Sequence, residues 1–283
     1  MITDPEGIQF LQWCLPRLQL RWPGFRKVRR RVYKRIDRHL RELDLADLPS
    51  YRRHLEGHPA EWATLDSLCW IQISRFYRDR SVFQYLEREV MPPLARQLVA
   101  ARAGEIRFWS AGCAGGEEPY TLALIWRHCL AQQFPSLRLR IIATDIDPQA
   151  IRRAERGCYK ASSVKELPAE WRAGALVTRG EDLYVKDEYR AGVTFLLQDI
   201  RQRAPEGRFQ LVLCRNLVFT YFDETLQKKT MLKITDRLAP GGALVIGSLE
   251  SLPAGPWEVE PWCKRLGVYR KALEFPLRRQ RRQ

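Results

Sequence analysis

At 283 residues, with 45% hydrophobic and 11% aromatic side chains, the chain carries enough apolar material for one large domain, or one large and one small. Its net charge of +15 points to an anionic partner and leaves nucleic acid, a membrane face and an acidic protein surface open. The start of the chain lacks a basic stretch followed by an apolar run, no segment is apolar for long enough to span a bilayer, and the seven cysteines form no Cys-x-x-Cys pair. The expectation is therefore a cytoplasmic protein with free thiols, without secretory signal, membrane insertion, disulfide framework or zinc site.

Residues 1–95 read as wholly helical. From Phe25 the apolar positions Val28, Val32, Ile36, Leu40 and Leu43 recur at three or four and trace one helix face. Arg26, Lys27, Arg29, Arg30, Arg31, Lys34, Arg35, Arg38 and Arg41 fill the rest, against the single acid Asp37. Pro49-Ser50 opens a second helix with Tyr51 and Leu55, Gly57-His58-Pro59 breaks it, and Trp62, Leu65, Cys69 and Gln72 align on a third.

Residues 96–283 change pattern to short apolar strands alternating with helices. The strands are expected at Arg107–Ser110, Leu139–Thr144, Val193–Leu197, Phe209–Cys214 and Ala243–Ser248. Helices are expected at Pro119–Gln132, Pro148–Arg156 and Glu224–Leu238, the last ended by Pro240-Gly241-Gly242. Strands spaced by helices imply right-handed crossovers and a mostly parallel sheet covered on both faces. Trp257–Val259 and Gly267–Leu273 could add an antiparallel hairpin at its edge, and Arg278-Arg279-Gln280-Arg281-Arg282 reads as a frayed tail.

Ligands of such sheets bind outside the carboxyl ends of the strands, so the residues after each strand are the candidates. The first strand leads into Ala111-Gly112-Cys113-Ala114-Gly115-Gly116-Glu117-Glu118-Pro119. Gly112 allows a sharp turn and close backbone approach, but the spacing is not that of a phosphate loop, and two carboxylates stand where a phosphate would sit. An acidic loop suits an amino group or a sulfonium; a tight turn with a capped helix start is the plainer alternative. The second strand ends in Asp145-Ile146-Asp147, where Asp145 is placed to accept from ribose hydroxyls and Asp147, before Pro148, to cap a helix. After the third strand, Asp199 could receive an adenine amino group with Ile200 against the ring. After the fourth come Asn216, placed where cofactor and acceptor meet, Leu217, and Tyr221, placed to orient the acceptor. Asn alone at such a place is as readily a turn residue. Ahead of the sheet, Ser74-Arg75-Phe76-Tyr77-Arg78 combines packing aromatics with a guanidinium able to hold a carboxylate bidentately.

These segments together resemble the CheR family. Trp109–Ala111 through Gly116–Tyr120 is similar to its first cofactor loop, Ala143–Asp147 to its second, and Cys214-Arg215-Asn216 with Tyr221-Phe222-Asp223 to its acceptor-side segment. Ser74–Arg78 resembles the family's Thr-x-Phe-Phe-Arg stretch, and the basic helix, Asp47–Tyr51 and Trp62–Leu68 resemble its N-terminal helical domain. Most of the chain is covered in the right order. The fold implied is a Rossmann-like class I methyltransferase sheet (α/β) with a small all-α N-terminal domain. The activity implied is transfer of a methyl group from S-adenosylmethionine, leaving S-adenosylhomocysteine, to glutamate carboxylates of a chemotaxis receptor or receptor-like signalling protein. The resemblance implies cofactor contacts from Gln72, Ser74, Arg78, Glu118, Asp145, Asp199, Ile200, Asn216 and Leu217, with Arg78 and Tyr221 nearest the chemistry. It also gives the basic helix, through Arg26, Arg30, Lys34 and Arg38, an acidic, glutamate-rich helical partner.

Three departures stand out. Ser74 replaces the usual threonine, and Gln72 stands where asparagine is common; both keep hydrogen-bonding capacity. Asn216 and Tyr221 are separated by Leu217-Val218-Phe219-Thr220, one residue more than the family norm. No equivalent is read for the small β-subdomain that some members use to dock on a receptor tail, and only Gly157–Gly192 is left to supply it.

Carboxylate methylation needs no general base, since the nucleophile is already ionised at neutral pH, and His39, His54, His58 and His128 all lie outside these loops. Two other readings stay open. A nucleic-acid acceptor is favoured by the arginine-rich helix with Tyr33, but no Asn/Asp-Pro-Pro-aromatic segment follows the fourth strand. A non-catalytic cofactor-binding scaffold is favoured by the extra residue before Tyr221. Nothing in the sequence asks for more than a monomer.

Overall fold

Among the described residues, 2–273 of this computed structural model, ten strands form two sheets. The strands are β1 (Glu105–Ala111), β2 (Arg138–Asp145), β3 (Cys158–Lys160), β4 (Leu176–Arg179), β5 (Asp182–Val185), β6 (Val193–Leu197), β7 (Phe209–Leu213), β8 (Leu238–Val245), β9 (Val259–Cys263) and β10 (Val268–Lys271). Seven of them lie in the order β6-β2-β1-β7-β8-β10-β9. The first five are parallel, and β10 runs antiparallel to β8 and β9. This is the expected Rossmann-like α/β sheet. The basic tail, Arg278–Arg282, lies outside the described residues.

The strand expectations hold in place and type, with corrections at their ends. β1 and β2 are longer at both ends than expected, and β7 stops at Leu213 rather than Cys214. β8 starts at Leu238 rather than Ala243, runs through Pro240-Gly241-Gly242, where only a helix stop is expected, and ends at Val245 rather than Ser248. A register shift opposite Phe209–Leu211 absorbs these residues as a bulge, the place where a strand tolerates proline and glycine. The edge hairpin exists, but its first strand is Val259–Cys263 rather than Trp257–Val259. The segment 157–192 does hold a small antiparallel sheet, β3-β5-β4, whose strands are too short for their alternation to be read in the sequence.

Alternation along β1 divides the interior. Ile106 and Phe108 face one hydrophobic cluster with Tyr120, Leu124 and Ile125. Trp109 and Ala111 face the other, where Phe209, Val212 and Leu244 meet Phe10, Leu11, Val32, Ile36, Tyr51 and Leu55 of the N-terminal helices. The N-terminal helices and one sheet face thus share a continuous core, and residues 95 and 96 lie within the helix Met91–Ala100.

In the N-terminal part the long basic helix is Arg29–Glu42; Trp22–Phe25 makes a separate turn instead of beginning it. The reason is contact with the sheet domain: a side chain on Gly24 would strike Thr220 O at 2.3 Å, so the chain bends here against that loop. Asp47 caps the helix Leu48–Gly57 by accepting from Ser50 N at 2.8 Å. The third helix, Glu61–Leu68, is shorter than its apolar spacing suggested. Gln72 therefore sits beyond it, on a non-helical segment that runs along the cleft. Among the described residues no helix is long and apolar enough to cross a membrane.

Candidate active site

The connections from β1 run to β2 on one side, while β7 lies on its other side, so the sheet switches direction next to β1. A crevice opens at such a switch point. Here it is a cleft enclosing about 1100 Å³, its open mouth included, and it is roofed by residues 69–75 and by Leu20 and Phe25. The cleft lining includes Gln72, Ser74, Arg78, Gly112, Glu118, Asp145, Asp199, Ile200, Asn216, Leu217 and Tyr221, so the structure brings every expected cofactor and catalytic residue together. None of the four histidines lines it.

Gly112 turns with φ +75, and any side chain there would meet Leu217 Cδ2 at 2.5 Å; the backbone must lie bare against the neighbouring loop. Its N–H and that of Cys113 both donate to Thr144 O, at 2.8 and 3.0 Å, which ties the first loop to the end of β2. Asp145 tightens the same junction. Its Oδ2 accepts from Ala114 N at 2.8 Å, and its Oδ1 accepts from Asp147 N at 3.0 Å and Gln72 Nε2 at 3.3 Å. Three of about four acceptor positions are taken, which leaves one for a ligand hydroxyl. Burial pushes this carboxyl above its usual range, although the two backbone donors and Gln72 pull the other way. Asp147 has the capping role, accepting from Gln149 N at 2.8 Å.

The two loop acids divide. Glu117 is buried, turns away from the cleft and pairs with Arg153 at 3.1 Å, with the Ser74 hydroxyl also against it. Burial raises its pKa, with Arg153 opposing. The expectation of two carboxylates at the ligand is corrected: only Glu118 faces the cleft. Its Oε1 accepts from Ser110 Oγ at 2.7 Å and its Oε2 from Arg215 Nη1 at 3.1 Å.

Asp199 also has an internal partner. Arg201 donates to it through its backbone N and Nε, and its other two nitrogens reach Asp66 Oδ1 and Oδ2 at 2.8 and 2.7 Å. Burial works against the Arg201 charge, but the bonds to Asp66 and Asp199 outweigh it and raise its pKa. An N-terminal helix is thereby fastened to the far end of the cleft beside Ile200.

At the near end, three of the four residues between Asn216 and Tyr221 belong to one helical turn, Val218–Tyr221, and the fourth, Leu217, is its N-cap. Asn216 enters it in the left-handed region, φ +54, which Asn tolerates better than most residues. The turn's carbonyls are satisfied from the N-terminal part: Arg21 N donates to Tyr221 O at 2.8 Å, Arg21 Nε to Thr220 O at 3.0 Å and Arg21 Nη2 to Phe219 O. Phe25 packs on the Tyr221 ring with centroids 5.0 Å apart. Burial raises the Tyr221 pKa, while the positive field of Arg78 opposes that rise. Arg78 itself is held by a hydrogen bond from Nη1 to Ile73 O at 2.7 Å.

Several residues of the site escaped the sequence reading. Arg215, with 3% of its side chain exposed, pairs with Glu118 and Asp79, donates to Arg78 O, and lies 5.1 Å over the Phe83 ring. Its position directly before Asn216 was the available signal. Arg21, Phe25 and Asp66 carried none, because their partners are more than a hundred residues away, and the link from Arg201 to Asp66 spans 135 residues. On the basic helix, Arg29 pairs with Asp4 at 2.8 Å and Arg35 donates to Leu68 O and Trp70 O. Arg30, Lys34 and Arg38 are exposed at intervals of four along one stripe of this helix; Arg26, expected on the same helix, is exposed in the turn that precedes it, because the helix starts at Arg29. Arg38 also lies 3.6 Å from Glu42.

A family model described as CheR methyltransferase, SAM binding domain, matches residues 72–263. The chain is 33% identical over 186 residues to the chemotaxis protein methyltransferase of Listeria innocua serovar 6a, covering 66% of this chain and 68% of that one. It is 29% identical over 285 residues to chemotaxis protein methyltransferase 2 of Vibrio cholerae serotype O1, covering 95% and 94%. It is 30% identical over 229 residues to the chemotaxis protein methyltransferase of Escherichia coli K12, covering 78% and 76%.

Proposed function

The chain belongs to the CheR methyltransferase family and is an S-adenosylmethionine-dependent methyltransferase, and from that premise we propose that it acts in the cytoplasm on glutamate carboxylates of a chemotaxis receptor or receptor-like signalling protein. In this reading residues 1–95 face the acceptor, and residues 96–283 carry the cofactor together with Gln72 and Ser74 from the end of the N-terminal part.

When bound, S-adenosylmethionine supplies a methyl group on a sulfonium whose broken bond leaves its electron pair on sulfur. The cleft suits such a ligand: one carboxylate, Glu118, faces it for the amino group, Asp145 keeps one acceptor position for a ribose hydroxyl, and the buried Gln72 Oε1 has no partner in the protein. Gly112 lets the backbone approach, Ile200 and Leu217 supply apolar walls, and Asp199, Ser74 and Asn216 supply polar edges. The acceptor carboxylate is ionised at neutral pH, so these residues have no proton to move and their work is orientation and exclusion of water. Arg78 orients the incoming carboxylate, and Tyr221, backed by Phe25, walls its approach. The exposed stripe Arg30, Lys34 and Arg38, with Arg26 in the turn before it, draws in a glutamate-rich helix, an interaction expected to govern encounter rate more than final affinity.

The observation that carries this reading is Arg78: a cleft-lining guanidinium, fastened by a backbone carbonyl, whose field acts on Tyr221. The test is peptide mapping by mass spectrometry after incubation with S-adenosylmethionine and receptor-containing membranes. Receptor peptides one methylene heavier at glutamate are expected. Modification of lysine, or of added RNA, would overturn the acceptor.

A further inference from the structure

The loop after β8 carries a carboxylate that none of these roles uses. Glu250 turns inward and accepts from Gly247 N at 2.6 Å, from Asn216 N at 2.9 Å and from the Thr220 hydroxyl. It does not line the cleft, but the two ends of the segment it holds do: Asn216 at one end and Tyr221, directly after Thr220, at the other. The two loops interlock closely. A side chain on Gly247 would lie 2.8 Å from Glu250 Oε2 and 2.9 Å from Asn216 Oδ1. Burial raises the Glu250 pKa, and the three donors and Arg215 oppose it.

We propose that Glu250 is a positioning residue for methyl transfer, its carboxylate clamping both ends of the 216–221 turn and thereby fixing the distance between the cofactor edge and the acceptor edge of the site. The inference rests on the reading of Asn216 and Tyr221 as bordering the transfer site. It also accounts for the longer Asn216–Tyr221 span. The additional residue is taken up in a helical turn whose Thr220 hydroxyl reaches Glu250, while Arg21 closes the turn's other end. Three donors converging on one side chain require acceptor capacity, and a carboxylate offers about four lone-pair directions. Glutamine keeps two of these for the backbone N–H groups, and its amide can donate to the Thr220 oxygen. Alanine offers none.

The experiment compares Glu250→Ala, Glu250→Gln and Thr220→Val with the unaltered enzyme. Three quantities are read: hydrogen exchange at the 216–221 amides, kcat on one fixed acceptor, and the Kd for S-adenosylhomocysteine. Glu250→Ala should speed exchange at these amides by about tenfold or more while the sheet stays protected. It should lower kcat by about thirtyfold, with the Kd within about threefold, because a small misplacement of the acceptor wall costs rate rather than cofactor contact. Glu250→Gln should restore both readouts to within about threefold. Thr220→Val should lower kcat about threefold and add little to Glu250→Ala in the double variant, as groups in one network are not additive. Glutamine as damaging as alanine, with a shifted pH profile, would assign the effect to charge and overturn the clamp. A lowered Tm with kcat and exchange unchanged would do the same. If Glu250→Ala does not fold, Thr220→Val and Glu250→Gln still decide. The exchange readout needs no acceptor, so unaltered enzyme that methylates no receptor overturns the acceptor reading alone.

Discussion

The two ends of the cleft are built on different principles. At the end proposed for the cofactor, Gly112, Glu118 and Asp145 stand at or just after the ends of adjacent parallel strands. The bonds of Gly112 to Thr144 and of Asp145 to Ala114 and Asp147 stay within the two loops there, with Gln72 and Arg215 adding one bond each from outside. At the acceptor end, Tyr221 is placed by Phe25 and Arg21 from the N-terminal helical part and by the loop after β8. One end follows from the sheet; the other has to be assembled. A family whose members share one cofactor and face different partners would be expected to keep the first arrangement and vary the second.

This contrast is open to direct attack. Arg78→Ala should produce the largest effect, lowering kcat by about a hundredfold or more while the protein stays folded, the scale of losing a charged group at the reacting centre. Turnover within a few-fold of normal would remove Arg78 from the chemistry. Asp145→Ala should weaken S-adenosylhomocysteine by about tenfold to a hundredfold in calorimetry, since it removes a buried acceptor and frees the first loop from β2. Unchanged affinity would reject the ribose role.

Arg215 joins the two ends, so its loss should appear first as instability. Replacing it with leucine strands Glu118 and Asp79 and should cost about 3 kcal/mol in urea unfolding, the range for breaking a buried pair. A loss near zero would mean that water replaces the guanidinium. The smallest effect is expected furthest from the cleft. Reversing Arg30 and Lys34 to glutamate should raise the acceptor KM by about tenfold at low salt and much less at high salt, leaving cofactor affinity alone. An equal effect at both salt concentrations would argue against steering by charge.

The same division explains what could be read from the chain before its fold was known. A parallel sheet puts cleft-lining groups at or directly after strand ends, so the places of Asp145, Asp199 and Asn216 along the cleft could be read by position, and Asp147 before Pro148 announced a cap. Spacing alone did not say which way a side chain turns. Glu117 and Glu118 are adjacent acids, yet helix geometry sends one toward Arg153 and the other into the cleft. Gln72 matched the apolar spacing of a helix but lies past its end, because the helix stops at Leu68. Proline and glycine at 240–242 marked a real interruption, though of a strand by a bulge rather than of a helix by its cap. Arg21, Phe25 and Glu250 were invisible for a simpler reason. Their roles exist only once segments about two hundred residues apart, or two separate loops, are brought together by the shared core.

The central claim is that methyl groups reach protein carboxylates, and the most direct measurement is the chemical lability of the bond formed. Receptor-containing membranes would be labelled by the enzyme with S-adenosylmethionine carrying a radioactive methyl group and then exposed to mild alkali. Label on protein, released as volatile methanol and largely lost with Arg78→Ala, is the predicted result. Label that survives alkali, or that resides on nucleic acid, would contradict it.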